Sequence, residues 1–374
     1  MLNRPPAGDN GAFATGQRQD REVGWRLILA GPLVALFTLV AGLIVAAQAG
    51  FTFRDPDHVA ALYVVEVGAG VGLLVCLDIF LRARRRTGTR WPSREALATV
   101  RRERWTAKRG AVVAAAIVAF YVTYLAYRNL KASVPLLRPE LFDRELADID
   151  RFLFFGSDPA ELLHDLLGTG IAAHGLSTFY VLFIVFLPLS LALALVFAER
   201  LRNGLFYATA LSINWILGAA SYFMLPALGP IYYYPSWFTA LPHTEVARLQ
   251  ELLMDDRVGF LANVETGTPQ AIAAFASLHV AMSFTALLAV YMFGLGRRLK
   301  RALWVWMALT LVATIYLGWH YVLDDVAGLL MGAAALLLAR ALTGYDPRSS
   351  VPGEGEERPE PVLEERPPEP AYSE

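Results

Sequence analysis

Apolar runs of about 20 residues recur along this chain, and they leave it few ways to fold. The ~30 Å hydrocarbon core of a bilayer holds no water to take up backbone N–H and C=O groups, so a crossing segment must pair them within its own helix. Eight such runs stand at 27–49, 59–81, 110–130, 171–198, 204–225, 271–295, 303–322 and 325–343. The chain is 56% hydrophobic, where soluble domains hold ~45–50%, and the excess lies in those runs. The expectation is an all-α integral membrane protein with about eight transmembrane helices. Almost nothing separates the last two runs, so a tight surface turn joins them.

The first run is followed by Ala47, Gln48 and Ala49, a signal-peptidase-like triplet. The run is longer than the 7–15 residues of a secretion-signal core, which predicts a retained helix. Basic residues set the orientation, since they favour the cytoplasmic side. Segment 82–109 carries eleven Lys and Arg against Glu95 and Glu103, and segment 296–302 carries Arg297, Arg298, Lys300 and Arg301 with no acid. Segments 131–170 and 226–270 are acidic, with four bases against eight acids and two against five. With eight spans, both termini face the cytoplasm of a cell-membrane protein, and His279, His320 and Asp324 face outward. Cys76 is the only cysteine, so no disulfide forms within one chain.

Outside the spans the chain divides simply. Residues 1–26 read as a polar cytoplasmic segment. The range 27–109 holds two helices and a basic loop, and 110–343 the six remaining spans. The Pro- and Glu-rich tail 344–374 has too few apolar side chains to fold and reads as disordered. Segment 140–167 alternates acids with apolar residues at helical spacing. It reads as one or two interfacial helices, split near Gly156 to Pro159, with the acids as a solvated face. The aromatic-rich stretch 229–238 reads as a lid at the headgroups. Glu66 and Asp78, inside the second span, read as structural.

Three residues point to chemistry. His320 and Asp324 stand four apart, a helical neighbour spacing of ~5–6 Å at Cβ. A carboxylate placed there takes a hydrogen bond from one imidazole nitrogen and leaves the other as an oriented base or nucleophile. His279, after Ser277, opens the sixth run at the same depth and supplies a second acid or base. With no cysteine cluster and no metal spacing, the set points to nucleophilic attack on a phosphate ester. Such a site needs cations. Arg128, Lys131 and Arg138 are the nearest outward ones, with Arg128 preferred. His174 is a weaker site residue, and His58, His164 and His243 read as surface residues.

Two stretches, Ala276-Ser277-Leu278-His279 and His320 to Asp324 with Asp325, resemble the second and third motifs of the type 2 phosphatidic acid phosphatase (PAP2) superfamily. The nearest branch is the inositol-phosphotransferase-like one, which includes inositol phosphorylceramide synthases. The resemblance covers about 110–343 as a six-helix core, with two helices added before it. It implies that His320 attacks phosphorus, His279 protonates the leaving group and Asp324 orients the nucleophile, with Asp325 one step off that face. It implies no metal and no cofactor. The partners it implies are a lipid phosphate and a water or polyol acceptor, with no nucleic acid. Ser277 is kept from a Pro-Ser-Gly-His motif and is expected to help bind phosphate. The Ser-Arg of the third motif is replaced by Ala313 and Thr314. The Lys-x6-Arg-Pro of the first motif is reduced to Tyr222, Gly229 and Pro230. A literal Lys-x6-Arg-Pro runs from Lys131 to Pro139, two spans too early. The degenerate first motif resembles the transferase branch. The lost arginine also leaves open a non-catalytic transporter or scaffold.

Overall fold

A computed structural model describes residues 23–55 and 59–347, with side chains left out from 59 to 66. The expectations for residues 1–22, His58, the Glu66 side chain and the tail from 348 onward lie outside the described residues. The described residues are helical, with no strand among them. The helices are α1 (Trp25–Gln48), α2 (Val59–Thr87), α3 (Arg94–Arg104), α4 (Ala107–Leu137), α5 (Asp143–Leu153), α6 (Pro159–Leu167), α7 (Ile171–Phe197), α8 (Leu201–Met224), the single turn α9 (Pro230–Tyr233), α10 (Glu245–Ala262), α11 (Leu278–Met292), α12 (Arg297–Tyr316) and α13 (Val322–Thr343). Hydroxyl caps set three starts: the side chains of Ser93, Thr106 and Thr244 accept from backbone N–H groups in the first turns of α3, α4 and α10.

Six helices among the described residues are long and apolar enough to cross a membrane: α1, α4, α7, α8, α12 and α13. The protein is a multi-pass membrane protein. The expected count of eight is therefore not reproduced. The second expected span is helical as α2. The sixth differs in kind: the run 271–295 becomes helical only at Leu278, and α11 has 15 residues, about 22 Å at 1.5 Å per residue. Its first part is extended chain. There Ala274 N donates to Ala227 O (2.9 Å) and Ser277 N to Asp324 O (3.0 Å), while Ala276 N donates to Ser221 Oγ (3.0 Å). Non-helical backbone is tolerated at membrane depth when protein groups satisfy it, and here α8 and α13 do so.

α8 is the centre of the bundle, packed by α1, α4, α7, α11 and α13. α13 lies close along α11 because Gly328 and Gly332 face it: a Cβ on Gly328 would stand 2.5 Å from Ser277 O, and one on Gly332 2.5 Å from Ala281 O. This small-xxx-small spacing permits backbone-to-backbone approach. It also brings the start of α13 against the start of α11. Gly332→Val is expected to force the two helices apart at a cost of ~1–3 kcal/mol, seen as a lower melting temperature in detergent. A melting curve matching wild type would show that the contact relaxes freely.

At the other end of the bundle Asp78 is buried, and it accepts from Arg82 Nε (2.8 Å), Arg104 Nε (2.7 Å) and Trp105 Nε1 (3.0 Å). It ties α2 to the start of α4, in keeping with the structural reading.

Candidate functional site

The turn between α12 and α13 carries His320. Its backbone closes on the end of α12, with Trp319 N and His320 N both donating to Thr314 O (3.0 and 3.2 Å). Gly318 takes φ +72° there, and the Phe238 ring packs where a side chain would stand. His320 therefore lies outside both helices, and the helical i, i+4 geometry expected for it with Asp324 is not what joins them. Asp324 is the third residue of α13 and folds back over the helix start. Its Oδ2 accepts from Tyr321 N (2.9 Å) and lies 3.4 Å from His320 Nδ1. The first is a helix-capping bond; the second is long for N–H···O, as catalytic contacts often are before substrate tightens them. Both side chains are buried.

His279 is the second residue of α11. Its ring centroid lies 6.3 Å from that of His320. Tyr180 and Phe183 of α7 pack on it, at 4.5 and 4.2 Å between centroids. Tyr180 also stacks parallel to Trp319 at 5.4 Å. The aromatic wall thus holds His279 directly and reaches Trp319, the residue before His320.

A cation of α4 acts on this pair. The ammonium of Lys131 lies 5.6 Å over the Tyr222 ring, and its charge acts on both His279 and His320. Tyr222 stands where the first-motif lysine is looked for. The lysine of the early Lys-x6-Arg-Pro thus reaches that place through the fold, from a different helix. Arg128, one turn earlier on α4, acts on Lys131, Asp55 and Asp256. Arg138 is engaged elsewhere: Nη1 donates to Phe223 O (2.8 Å) and Nε to Glu140 (3.3 Å), fastening α4 to the end of α8. Ser277 is fully buried, with its hydroxyl beside the Asp325 carboxyl. Asp325 turns away from His320 and accepts from Thr314 Oγ1 (2.8 Å).

Arg257 of α10 was not read from the sequence. It is half-buried, and its charge acts on Lys131; burial lowers its pKa, and Asp143 opposes that. Nothing near it in sequence marks it, since α10 reads as a mixed charged helix. His174 is exposed. His243 is exposed and pairs with Glu251, as a surface residue would. His164, expected at the surface, is buried: its Nε2 lies 2.8 Å from Tyr316 O, and its ring meets Tyr316 and Phe238 edge-on.

A larger correction concerns α5. Asp143, Leu146, Ala147 and Asp150 are its buried residues, one face at i, i+3, i+4, i+7. Two of the acids expected on a solvated face are thus turned inward. Asp143 accepts from Leu228 N (2.9 Å), Gly229 N (2.8 Å) and Tyr321 Oη (3.0 Å). Asp150 accepts from Val322 N (2.7 Å) and Leu323 N (3.3 Å), the first two residues of α13. Glu145 and Asp148 remain exposed. The 229–238 stretch is also packed rather than free. Ile231 N donates to Gly318 O (2.9 Å), and Arg151 lies 4.8 Å over the Trp237 ring.

Burial holds His320 well below the ordinary imidazole value, at about 3, with the Lys131 charge acting the same way and the Ala274 carbonyl against it. Burial thus favours the neutral imidazole at His320, and a neutral imidazole keeps a lone pair on one ring nitrogen. Burial raises Asp150 to about 6, helped by the charges of Asp324 and Asp158 and opposed by its two backbone donors. Burial likewise raises Asp143.

The fold and this site define a helical, multi-pass membrane protein with two imidazoles and a carboxylate at one end of its bundle. Residues 144–338, more than half of the chain, match the family model of the PAP2 superfamily, and the chain belongs to that superfamily. Its members are usually phosphatases or phosphotransferases. The matched range contains His279, His320 and Asp324 and begins after Lys131. Neither the curated proteins nor the solved structures searched give a match.

Proposed function

We propose that this chain is a lipid phosphate phosphatase or phosphotransferase of the inositol-phosphotransferase-like branch, working through a phosphohistidine at the extracytoplasmic face of the cell membrane. The carrying observation is the approach of the two imidazoles to 6.3 Å, with Asp324 on Nδ1 of one of them. His320 Nε2 attacks phosphorus. The bond to the leaving oxygen breaks, and His279, protonated as the phosphate enters, gives that oxygen its proton. Water or a polyol hydroxyl then attacks the phosphohistidine, His279 takes up the proton, and the P–N bond breaks to return His320. Covalent capture divides one displacement into two easier ones. Asp324 holds the ring and its tautomer.

Lys131 is the main partner of the phosphate charge, because it alone of the four expected binders acts on both imidazoles. Arg128 supports it from one turn away. Arg138 takes a lesser part, since its guanidinium is turned to Phe223 and Glu140; the Ser277 hydroxyl is buried without a hydrogen-bond partner among the described residues and supports the phosphate from the start of α11. The outward orientation rests on the basic segments 82–109 and 296–302, which favour the cytoplasm.

The test uses the purified chain in vesicles with a panel of lipid phosphates, with and without inositol. Released phosphate marks hydrolysis, and a new phosphate ester of inositol by mass spectrometry marks transfer. Either product, blocked by orthovanadate, supports the reading. No product from any lipid phosphate favours a transporter or scaffold, the reading that the Thr314 and Gly229 replacements support. Arg128→Ala is expected to raise KM and lower kcat modestly, each by about three- to tenfold, as for a charge acting at one remove. Unchanged kinetics would limit Arg128 to the interface.

A further inference from the structure

α5 has three sides, and each meets something different. The inner side holds Asp143 and Asp150, whose five accepted hydrogen bonds fix Leu228, Gly229, Tyr321, Val322 and Leu323. These residues flank His320 and Asp324. A second side carries the ion pairs of Arg144 and Arg151 with Asp148. The third side carries Glu145 in its first turn and is apolar and bare beyond it, out to the tip: Phe152 is 83% exposed and Phe155 99%, with Ile149 and Leu153 beside them. Phe155 holds φ +56°, which disfavours a bulky residue. A large ring is thus presented outward from a backbone that suits it poorly.

Leu166 and Leu167 at the end of α6 and Ile171, 93% exposed at the first turn of the membrane-spanning α7, are bare as well. Residues 154–158 and 168–170 are all that separate α5 from α6 and α6 from α7, so the bare tip lies near the end of a helix that crosses the bilayer. That attachment identifies the leaflet as what covers it. A helix with one apolar and one charged side lies in the interface plane.

We propose that α5 is a membrane-seated positioning helix: its apolar tip lies in the leaflet beside the site, and Asp143 and Asp150 carry that seating to the turn that holds His320. This rests on the phosphohistidine reading only for its consequence in catalysis. The helix ties a lipid surface to the imidazole, so the nucleophile is held in place when the tip is seated. Asp150 acts through Val322 and Leu323 and not on substrate.

Two measurements test this without a known substrate. In Cys76→Ala/Phe155→Cys, a nitroxide at residue 155 in phosphatidylcholine vesicles should relax more with oxygen than with a water-soluble nickel chelate. Relaxation dominated by the chelate would overturn the seating. The second reads His320 modification by diethylpyrocarbonate in the full-length chain, peptide by peptide. Asp150→Ala and Phe152→Ser/Phe155→Ser in vesicles should each raise the rate by about fivefold or more, as local opening of a buried group does. Asp150→Asn, which keeps an acceptor, should bring it back near wild type. An unchanged rate, or an equal rise at buried His164, would overturn the positioning role. Full turnover in His320→Ala would sink the phosphohistidine reading and leave both of these results standing.

Discussion

Replacing His320 by alanine is expected to reduce turnover by about 10⁴-fold or more, since the covalent intermediate can no longer form. The variant should fold, because the turn is held by Thr314 O, Gly318 and Asp324 rather than by the ring. His279→Ala carries a sharper signature. Loss of a general acid costs about 10²–10⁴-fold, but only where the leaving oxygen needs a proton. The defect should shrink for a phosphate ester whose leaving group is already acidic, such as p-nitrophenol, and stay large for a lipid alcohol. An equal defect on both esters would remove His279 from the leaving-group step. Asp324→Asn isolates the charge of that residue. Both contacts, from Tyr321 N and to His320 Nδ1, are made by Oδ2, so an amide oxygen there keeps the helix start and an acceptor facing the ring while the carboxylate charge is lost. A fall of several orders of magnitude is expected, as when a carboxylate that orients a catalytic imidazole is neutralised. Wild-type rates with Asn would mean that the site needs no charge at Asp324.

What the sequence disclosed and what it hid divide along physical lines. The closeness of the two histidines and Asp324 was expected from their residue types, while the helical spacing expected for His320 and Asp324 is not what joins them. The long apolar helices were legible because lipid restricts backbone pairing. The non-helical lead into α11 was not: Ala271 to Ala276 is as apolar as a helix, and hydropathy does not distinguish a helical turn from irregular backbone bonded by Ala227 and Ser221. Asp143 and Asp150 stand seven apart with Leu146 and Ala147 between them, so their shared face was visible in the periodicity. What concealed their burial was the sound general rule that acids face water unless they are partnered. Their partners are backbone N–H groups from distant loops, which no local pattern records. Lys131 was visible as part of a literal motif, and only the packing of α4 on α8 gives it a place beside the histidines.

That displacement of Lys131 yields the second large expected effect. Removing a preorganised charge beside a transferring phosphoryl group costs about 10²–10³-fold, so Lys131→Met should lose roughly that much in kcat/KM while Arg138→Ala stays within a few-fold of wild type. The loss alone would not separate a binding role from a packing one, because the ammonium also rests on the Tyr222 ring. Relocating the charge does. Tyr222 is where the superfamily's first-motif lysine is looked for, and its ring lies directly beneath the ammonium. If the site requires a cation at this point in space and is indifferent to the helix that brings it, Tyr222→Lys in the Lys131→Met background should recover at least about tenfold of the lost activity, an electrostatic return of ~1.4 kcal/mol. Tyr222→Met in the same background should recover nothing. A double variant as poor as Lys131→Met, folded and with an unchanged melting temperature, would show that the α4 lysine is held for packing and that another group, Arg257 foremost, neutralises the phosphate.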